Sequence, residues 1–564
     1  MKKIFKFIAA SCLMASVLAG CTAKFEEYNK NEFDPSAEQM GASLVGNYIL
    51  NMQQMLVQGQ QNNSQMIDHM INSEYGGYIA CVAQWGNAGN FYTYDPRIGW
   101  VGYPFDTMMP QIFTPFIMLK DLTNGEGPVY AWAQILKVYG AYLLNGMYGP
   151  IAYTKVDGEN MAVEYDSEEV LFNAMFADLD EGITNLTATV LSGEDMSSLA
   201  TFDYVYNADF TKWVKFANTL KLRLAMRISN VAPELARQKA EEAVNAPFGV
   251  LSSKDDTAWS TYNDGMNPYY RAEVTWNGGE IRLSANVSSY LGGYNDPRLA
   301  VYALPAVYTD NEGNSIGIVG VRNGIEQSSY SMSVYQEYSC TNIKQSDKLL
   351  VMSAAEAYFL RAEGALKGWN MGDTAQNLYE QGVQVSMDER GVQIGDYLSS
   401  EAVPADYEDP YYSSRNIAAV SNVTPMWQSG SDEQNLERIL VQKWIASFPN
   451  GWERWGDFRR TGYPKMFPVV NNKNTDGVTA ERGMRRIPYS EKEYIKYSGL
   501  AGMVKDGAMI LLVTLFAVVM PPATTLTLMA EVYEKDAFYA NLLNVVSTLF
   551  FLITLPLVIG FYMQ

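Results

Sequence analysis

Histidine is nearly absent from this chain of 564 residues, in which His69 is the only one. A single imidazole argues against serine–histidine triads, histidine-rich zinc sites and histidine general bases, all of which depend on that side chain. A lone histidine more often packs in a core or lies on the surface. No catalytic role is therefore assigned to His69.

Cysteine is scarce as well, with four in the whole chain. None of them forms a CxxC pair, which argues against redox and metal centres. Cys12 and Cys21 fall in an N-terminal segment that has a role of its own. Spacing alone does not establish whether Cys81 and Cys340 pair in an oxidising compartment.

Positive charge is in short supply, because 41 Lys and Arg residues stand against 62 Asp and Glu residues, a formal charge of −21. Such a chain is a poor nucleic-acid binder, since phosphate contacts need clustered Lys and Arg. Glycine-rich phosphate loops, nucleophile elbows and metal-ligand clusters are absent from the sequence. We therefore predict neither a cofactor nor catalysis, and expect ordinary turns in the oxygen-rich stretches 310–314 and 471–477, with calcium binding left open.

The N-terminus has the pattern of an export signal. Three lysines in the first six residues precede an apolar run over 7–18, which is too short to span a bilayer comfortably. Leu18-Ala19-Gly20-Cys21 resembles a bacterial lipobox, which implies removal of residues 1–20 and acylation of Cys21. The acyl chains would anchor the protein to a membrane without spanning it. Acidic residues just beyond Cys21 resemble the signal that sends some lipoproteins to the cell surface.

The body of the chain has helical periodicity. Apolar stripes with three- and four-residue spacing lie over 135–142, 172–186, 213–228 and 355–366. Pairs of such helices predict tetratricopeptide-like packing and a mainly α fold.

Polar residues beside these stripes predict where the helices begin and end. Asp166 with Glu169, and Asp373 with Gln376, have the spacing of capping boxes, and Gly368 is placed near a helix end. By contrast, the stretches 72–116 and 250–345 are rich in glycine, asparagine and tyrosine and lack the helical period, so we predict only short strands in them. Loops of that length usually carry function or are covered by other parts of the chain.

A series of motifs resembles the SusD/RagB family of nutrient-binding lipoproteins. In order, they are Phe25–Asn29, Tyr165–Asp180, Lys212–Arg227, Asp296–Leu299, Glu356–Trp369, Gln442–Pro464 and Arg485–Tyr489. Ser490 stands where the family pattern has a second proline. Any one motif is weak evidence, but all of them in one order are specific, and together they cover about residues 21–498.

The resemblance implies a SusD-like fold for residues 21–498, with tetratricopeptide-like helix pairs and long irregular loops. It also implies a lipid-anchored protein of the cell outer membrane, exposed on the surface, that captures an oligosaccharide. The expected partner is a SusC-type TonB-dependent barrel that imports the nutrient. The alternatives are peptide capture of the RagB kind, a surface glycoside hydrolase, since carboxylates are abundant, and a fragment of a membrane transporter.

Five arginines in these motifs are expected to pair with carboxylates between packed helices, because a bidentate pair fixes orientation well. They are Arg223, Arg227, Arg361, Arg459 and Arg460.

A sugar is held best by flat aromatic rings with amide, carboxylate or guanidinium groups beside them. The chain has 38 Tyr, 23 Phe and 11 Trp residues, and the aperiodic stretches 85–105 and 262–276 are rich in these types. Rigid aromatics also contact a ligand at low entropy cost. The candidate ligand-binding residues are Trp85, Asn87, Tyr92, Tyr94, Arg97, Trp100, Tyr269, Tyr270 and Trp276.

The character of the chain changes at about residue 499. Apolar runs over 508–530 and 542–563 are each long enough to span a membrane, and Pro521-Pro522 interrupts the first. This part resembles the last two helices of auxin-efflux-carrier permeases. Residues 499–564 are therefore predicted to be a transmembrane hairpin. Long apolar helices are foreign to an outer-membrane lipoprotein, so a gene fusion or a sequence misassembly is the favoured origin.

Overall fold

The computed structural model describes residues 37–83, 91–96, 98–159, 163–262, 265–276, 278–325, 333–475 and 477–496. The chain divides into two compact units, residues 1–487 and 488–564. The predicted signal peptide, Cys21 and the predicted hairpin over 499–564 lie outside the described residues. No helix of the described part is both long enough and apolar enough to cross a membrane.

The first unit is built mainly of α-helices, as the sequence predicts. They are α1 (Ala37–Gln53), α2 (Tyr103–Thr123), α3 (Gly127–Tyr148), α4 (Glu168–Ser192), α5 (Phe210–Ile228), α6 (Pro233–Val244), α7 (Ala285–Gly293), α8 (Ala354–Leu366), α9 (Ala375–Arg390), α10 (Asp432–Ala446) and α11 (Trp452–Thr461). Short helical turns lie at Gln61–Asn63, Ile98–Val101, Pro268–Tyr270 and Leu299–Tyr302, and π-helices at Ser64–Ser73 and Arg271–Trp276. Short 3-10 turns lie at Phe91–Thr93, Ser197–Phe202, Tyr397–Ser399 and Ser413–Arg415, and the described part of the second unit contains the helix Glu491–Lys496.

Helices that follow one another in the chain pack against each other, as expected of helix pairs. Contacts join α2 with α3, α3 with α4, α4 with α5, α5 with α6, and α8 with α9. The centre of this packing is aromatic, because Trp132 on α3 and Trp213 on α5 are fully buried with ring centroids 5.3 Å apart. We call helices α2–α6 and α8–α11 the helical framework.

Strands are short and form two antiparallel pairs. β1 (Ile79–Cys81) pairs with β3 (Ile281–Leu283), and β2 (Ala258–Ser260) pairs with β4 (Leu349–Met352). Ala80 lies opposite Arg282 in the first pair. Short strands therefore occur in 250–345, as predicted, but the expectation of only short strands was wrong there, because α7 (Ala285–Gly293) lies in the same stretch.

The expectation of only short strands was wrong for the end of the stretch 72–116, because α2 begins at Tyr103. Pro104 occupies the first turn, where proline is tolerated. Pro110 and Pro115 lie inside the helix, where proline removes a backbone donor and ordinarily breaks the pattern. These prolines and the neighbouring glycines obscured the helical period in the sequence.

The start of α4 is one residue later than predicted. Ser167 is the N-cap, and its Oγ accepts the N–H of Val170 at 3.4 Å. Asp166 instead accepts the N–H groups of Tyr153 and Thr154, at 2.9 and 2.8 Å. Neighbouring Asp and Ser residues are both good caps, so sequence alone does not choose between them.

The start of α9 shows the same one-residue offset. Thr374, rather than Asp373, is the N-cap, and its hydroxyl accepts the N–H of Asn377 at 3.2 Å. The predicted helix end near Gly368 is confirmed, because α8 ends at Leu366 and Gly368 has a φ of 79°.

A buried network of charges joins α5, α8, α10 and α11. Arg223 donates two hydrogen bonds to Glu356, at 2.8 and 2.7 Å. Lys443 lies 3.0 Å from Asp457. All four side chains are between 2% and 4% exposed. Removing one member of such a pair leaves an uncompensated buried charge, so the network makes the register of these helices costly to change.

Three of the five motif arginines pair with carboxylates as predicted: Arg223, Arg227 and Arg460. The prediction was wrong for the other two. Arg361 and Arg459 donate to backbone carbonyls and have no carboxylate partner among the described residues. A guanidinium donates equally well to backbone carbonyls, and the sequence does not show which carbonyls are nearby.

The remaining cysteines and the first candidate calcium turn have ordinary roles. Cys81 and Cys340 form no disulfide with each other, and burial raises the pKa of both thiols. The carboxylate of Asp310 accepts the N–H groups of Glu312 and Asn314, at 2.9 and 2.8 Å, and so closes its own turn. The described residues contain no group of three His, Cys, Asp or Glu side chains placed to hold a metal ion.

Candidate ligand-binding surface

The β1–β3 pair brings the two predicted ligand-binding stretches together. In an antiparallel pair, the end of one strand lies beside the start of the other. The N–H of Val82 donates to the carbonyl of Glu280 at 2.8 Å, just beyond the strands. The segment that leaves β1 leads into 85–105, and the segment that enters β3 comes from 262–276. The chain therefore leaves β1 towards the first stretch and enters β3 from the second at the same end of this strand pair.

Six of the nine candidate residues lie in the described part of the chain, whereas Trp85, Asn87 and Arg97 lie outside it. Trp276 is the most exposed of the six, with 45% of its surface accessible. Trp100 and Tyr270 are half-buried.

Two of the candidates pack in the interior. Tyr92 is buried, and its hydroxyl donates to the carbonyl of Ala83 at 3.2 Å. Tyr269 is buried with its ring centroid 4.6 Å from that of His69. This burial favours a structural role for both rings, so ligand stacking stays a prediction for the more exposed candidates.

Tyr94 has an unusual backbone and a half-buried ring. Its φ is 59°, in the left-handed region that non-glycine residues rarely occupy. The ring lies 6.3 Å from that of Tyr75. Burial raises the pKa of the Tyr94 phenol to about 12, so the hydroxyl is a proton donor at neutral pH.

Trp276 lies at the end of a π-helix that is anchored in the interior. Glu273, one turn earlier, is buried, and its carboxylate lies 3.1 Å from Nε2 of His69 and accepts the hydroxyl of Thr341. At the start of the segment, Asn267 caps the preceding turn. The sequence placed His69 in a core or on the surface, and it is buried. The anchored π-helix holds the exposed Trp276 ring in place.

Both nitrogens of His69 face oxygen atoms. Nε2 faces Glu273, and Nδ1 lies 3.0 Å from the carbonyl of Ser64. Burial opposes protonation, but the hydrogen bond and charge of Glu273, the Ser64 carbonyl and the charge of Asp68 together raise the pKa of His69 above 6.5. The imidazolium form satisfies both acceptors at once.

A group of tyrosines that the sequence analysis did not single out lies beside β3. We call it the tyrosine cluster: Tyr308, Tyr335, Tyr338, Tyr411 and Tyr412. Its neighbouring rings have centroids 4.6 to 6.4 Å apart. Arg282 on β3 donates to the carbonyls of Tyr335 and Gln336, at 3.0 and 3.2 Å, and so ties the cluster to the strand pair.

Hydrogen bonds fix the rings of the cluster. The hydroxyl of Tyr338 donates to Asp409 at 2.7 Å, and that of Tyr411 donates to Glu337. The Arg415 guanidinium lies 4.1 Å from the ring centroid of Tyr412 and donates to the hydroxyl of Tyr335.

The cluster presents part of its aromatic surface to solvent. Tyr411 is 37% exposed, and Tyr308 and Tyr412 are half-buried. Fixed rings with a guanidinium beside them can stack on the C–H faces of a sugar and donate hydrogen bonds to its hydroxyls. The consecutive Tyr411 and Tyr412, followed by Arg415 in a stretch without helical periodicity, are the only signal of this cluster in the sequence.

Comparison with known proteins adds the family. The chain matches the family model described as SusD-like, SusD and RagB outer membrane lipoprotein, over residues 27–504. The chain belongs to the SusD-like family. The prediction of a mainly helical SusD-like fold is thus confirmed.

Solved SusD-like structures resemble this one closely. A SusD-like protein of Bacteroides thetaiotaomicron is 37% identical, with a TM-score of 0.76 and coverage of 82% of this chain and 96% of that one. A chitin-binding SusD homologue from Flavobacterium johnsoniae is also 37% identical, with a TM-score of 0.76 and coverage of 83% and 96%. A SusD homologue from Bacteroides ovatus is 35% identical, with a TM-score of 0.75 and coverage of 82% and 95%.

The other comparisons add nothing beyond this family. No curated protein matches the chain. The resemblance of residues 500–564 to auxin-efflux-carrier permeases finds no support in these comparisons.

Proposed function

We propose that this SusD-like protein is a surface lipoprotein that captures an oligosaccharide and delivers it to a SusC-type TonB-dependent barrel. The observation that carries the proposal is that Trp276 and the tyrosine cluster both lie on segments joined to the β1–β3 pair. Their exposed rings have the flat shape that suits sugar faces. The chitin-binding homologue from Flavobacterium johnsoniae, at 37% identity, supports the same ligand class.

Capture of a peptide, as in RagB, is the second candidate. An extended peptide commonly binds by adding a strand to a free sheet edge. β1 and β3 have three residues each, and the N–H of Leu283 on β3 already donates to the carbonyl of Ser339 at 2.9 Å. This strand pair therefore offers little edge to a peptide, which favours a glycan.

Direct binding to glycans tests the proposal. The full-length protein is purified in a zwitterionic detergent, because sugar-based detergents would compete for the surface. Binding to insoluble chitin and to a panel of soluble oligosaccharides is measured by pull-down and calorimetry. We expect saturable binding of one glycan class without release of shorter products, whereas steady product release would favour a hydrolase.

Two variants locate the site. Replacing Trp276 or Tyr411 by alanine is expected to weaken glycan binding about tenfold, the scale of one lost aromatic contact. Tyr358→Ala, at a half-buried tyrosine on α8, is the matched control and is expected to bind like the wild type. Equal affinities for all four proteins would place the ligand elsewhere, and binding of peptides but no glycan would favour the RagB kind.

The anchor and the partner need separate tests. Cys21→Ser is expected to abolish labelling with radioactive palmitate and to shift the protein from the membrane to the soluble fraction. Affinity purification of the wild type from outer membranes is expected to recover a barrel of the TonB-dependent class. A labelled Cys21→Ser variant, or a wild type that purifies without any barrel, would contradict the corresponding part of the proposal.

A further inference from the structure

A cavity of about 60 Å³ lies beside Tyr94 and is separate from the tyrosine cluster. Aromatic rings form much of its wall, together with three side chains that can carry charge: Glu74, Arg454 and Glu481. A single water needs roughly 10–15 Å³ by this measure. The cavity therefore has room for a few waters or a group such as a carboxylate, but not for a whole sugar ring.

Arg454 is the central polar residue of this cavity. It is 7% exposed. Its Nη1 donates to the carbonyl of Tyr75 at 2.6 Å, and its Nη2 to the carbonyl of Pro464 at 3.1 Å. Its Nε has no acceptor within the described ranges. Burial lowers the pKa of Arg454 to about 10, so the group still carries its charge at neutral pH.

Among the residues that the structure describes, no carboxylate forms an ion pair with Arg454, although the charge of Asp457 acts on it from a longer distance. Arg298, which is also buried, shows the usual solution, since its guanidinium lies 2.6 Å from Asp296. Arg454 instead contacts two neutral carbonyls and the ring of Phe458, whose centroid is 4.7 Å away. A buried charge without a counter-ion is costly, so an anion that enters the cavity gains more than it would in water.

The two acids of the wall do not cancel the arginine. Glu74 accepts hydrogen bonds from Asn323 and from the N–H of Cys81, at 2.8 and 3.2 Å. Burial raises its pKa to about 8, which leaves this carboxyl largely neutral at pH 7. Glu481 is exposed to solvent, where its negative charge is screened by water and salt.

We propose that this cavity binds a carboxylate, with Arg454 as the charge partner and the phenol of Tyr94 as a second donor. The carboxylate comes either from a free small acid or from an acidic sugar whose ring remains outside. The proposal stands on the cavity and its charges. It does not depend on glycan capture at the tyrosine cluster.

Binding of acetate and of glucuronate to the full-length protein tests the proposal. Calorimetry and tryptophan fluorescence, to which Trp455 in the cavity wall contributes, report binding at about pH 7, with glucose and sodium chloride at matched concentration and ionic strength as controls. We expect both acids to bind saturably and the controls to have no effect. Glucuronate at least about tenfold tighter than acetate identifies an acidic sugar, and equal affinities identify a free small acid.

Two substitutions with opposite expected signs complete the test. Arg454→Met is expected to abolish acetate binding, and Glu481→Gln to tighten it about two- to fivefold, because a like charge is removed. Glu481 is on the surface, so its variant stays informative even where Arg454→Met fails to fold. Tyr358→Ala, the control used for glycan binding, is expected to bind acetate like the wild type. Acetate that binds no better than chloride, or a Glu481→Gln variant with unchanged or weaker affinity, overturns the proposal.

Discussion

The helical framework and the tyrosine cluster both join residues that are far apart in sequence, but they do so by different interactions. In the framework, buried ions are paired, as in Arg223 with Glu356 at 2.7 Å. In the cluster, phenol hydroxyls donate to carboxylates, as in Tyr338 with Asp409 at 2.7 Å. The side chains of the buried charge network in the framework are at most 4% exposed, whereas the cluster leaves Tyr411 37% exposed.

The difference follows from what each side chain needs after its hydrogen bonds are made. A charged pair must exclude water on every side to keep its strength, and so has no surface left for a ligand. A tyrosine uses only its hydroxyl for the structural bond, and both faces of its ring remain available. The protein therefore combines a rigid interior of buried ion pairs with an aromatic surface. The rings of that surface are fixed by their hydroxyl groups, and their faces remain available to a ligand.

Removing one partner of a buried ion pair in the helical framework is expected to have the largest effect on stability. Arg223→Met leaves Glu356 buried without its bidentate partner and should lower the free energy of unfolding by about 3–5 kcal/mol. Urea unfolding followed by circular dichroism measures this loss. Lys155→Met is the control, since Lys155 and Glu164 form an exposed pair with side chains 61% and 80% accessible. No measurable change is expected there, and similar losses for both variants would contradict the special role of the buried network.

The next prediction concerns the close approach of α7 to the backbone of Ala405, in the segment that precedes Tyr411 of the tyrosine cluster. A Cβ on Gly293, at the end of α7, would lie 2.3 Å from the backbone nitrogen of Ala405, whereas one on Gly292 would meet nothing within 4 Å. Gly293→Ala is therefore expected to destabilise the protein by about 1–3 kcal/mol or more. Gly292→Ala should be neutral or slightly stabilising, because alanine favours the helix. Thermal unfolding of the two neighbouring variants gives the comparison, and equal melting temperatures would refute the close approach.

His69, which contacts the π-helix that carries Trp276, and its neighbour Asp68 should make the free energy of unfolding depend on pH. Burial raises the pKa of Asp68 to about 7, and the pKa of His69 is raised above 6.5. A group with a higher pKa in the folded state binds protons more readily there, so its stabilisation is present at low pH and lost as pH rises. The Asp68 contribution declines between about pH 4 and 7, and the His69 contribution declines above about pH 6.5.

Melting temperatures between about pH 5 and pH 8 at constant ionic strength measure this effect. We expect the melting temperature to fall with rising pH and the slope to be smaller in Asp68→Asn, because that variant has no carboxyl to titrate. A wild type that becomes more stable as pH rises over this range would show that other groups dominate.

The smallest expected effect separates the ring of Tyr411 from its hydroxyl. Tyr411→Phe removes the hydrogen bond to Glu337 but keeps the stacking surface, so glycan affinity should change by no more than about twofold. The corresponding alanine variant is expected to lose much more, as stated above. Calorimetry on Tyr411→Phe and Tyr411→Ala measures the loss of glycan affinity in each variant. An equal loss in both would mean that the hydroxyl, rather than the ring, binds the ligand.

The helical framework was largely readable from the sequence because its signals are local. Trp213, Phe216, Leu220 and Leu224 repeat at helical spacing on one face of α5, and all four are buried. The family motifs depend on the same helices. The errors in the framework were at helix starts where two adjacent residues have similar capping ability, in a helix with internal prolines, and in the partners of Arg361 and Arg459.

The candidate surface was only partly readable, since its parts come from distant segments. Trp276 is a candidate because it lies in an aperiodic aromatic stretch, and the structure shows only that it is exposed. The contact between Tyr308 and Tyr411, with centroids 4.6 Å apart, joins residues about a hundred positions apart. No pattern in the sequence around either residue indicates that the two tyrosines are in contact. Tyr92 and Tyr269 have the same composition around them as Trp276, and only the packing shows that their rings are interior.

The single histidine has a practical consequence for spectroscopy. Its imidazole is the only one in the chain, so the ring gives one unambiguous set of carbon-bound proton resonances, without isotope labelling of selected residues. The ring lies where the π-helix Ser64–Ser73 meets the π-helix Arg271–Trp276 through Glu273. With a purification tag other than polyhistidine, that one signal follows the junction directly during a ligand titration and reports any movement of the segment that carries Trp276.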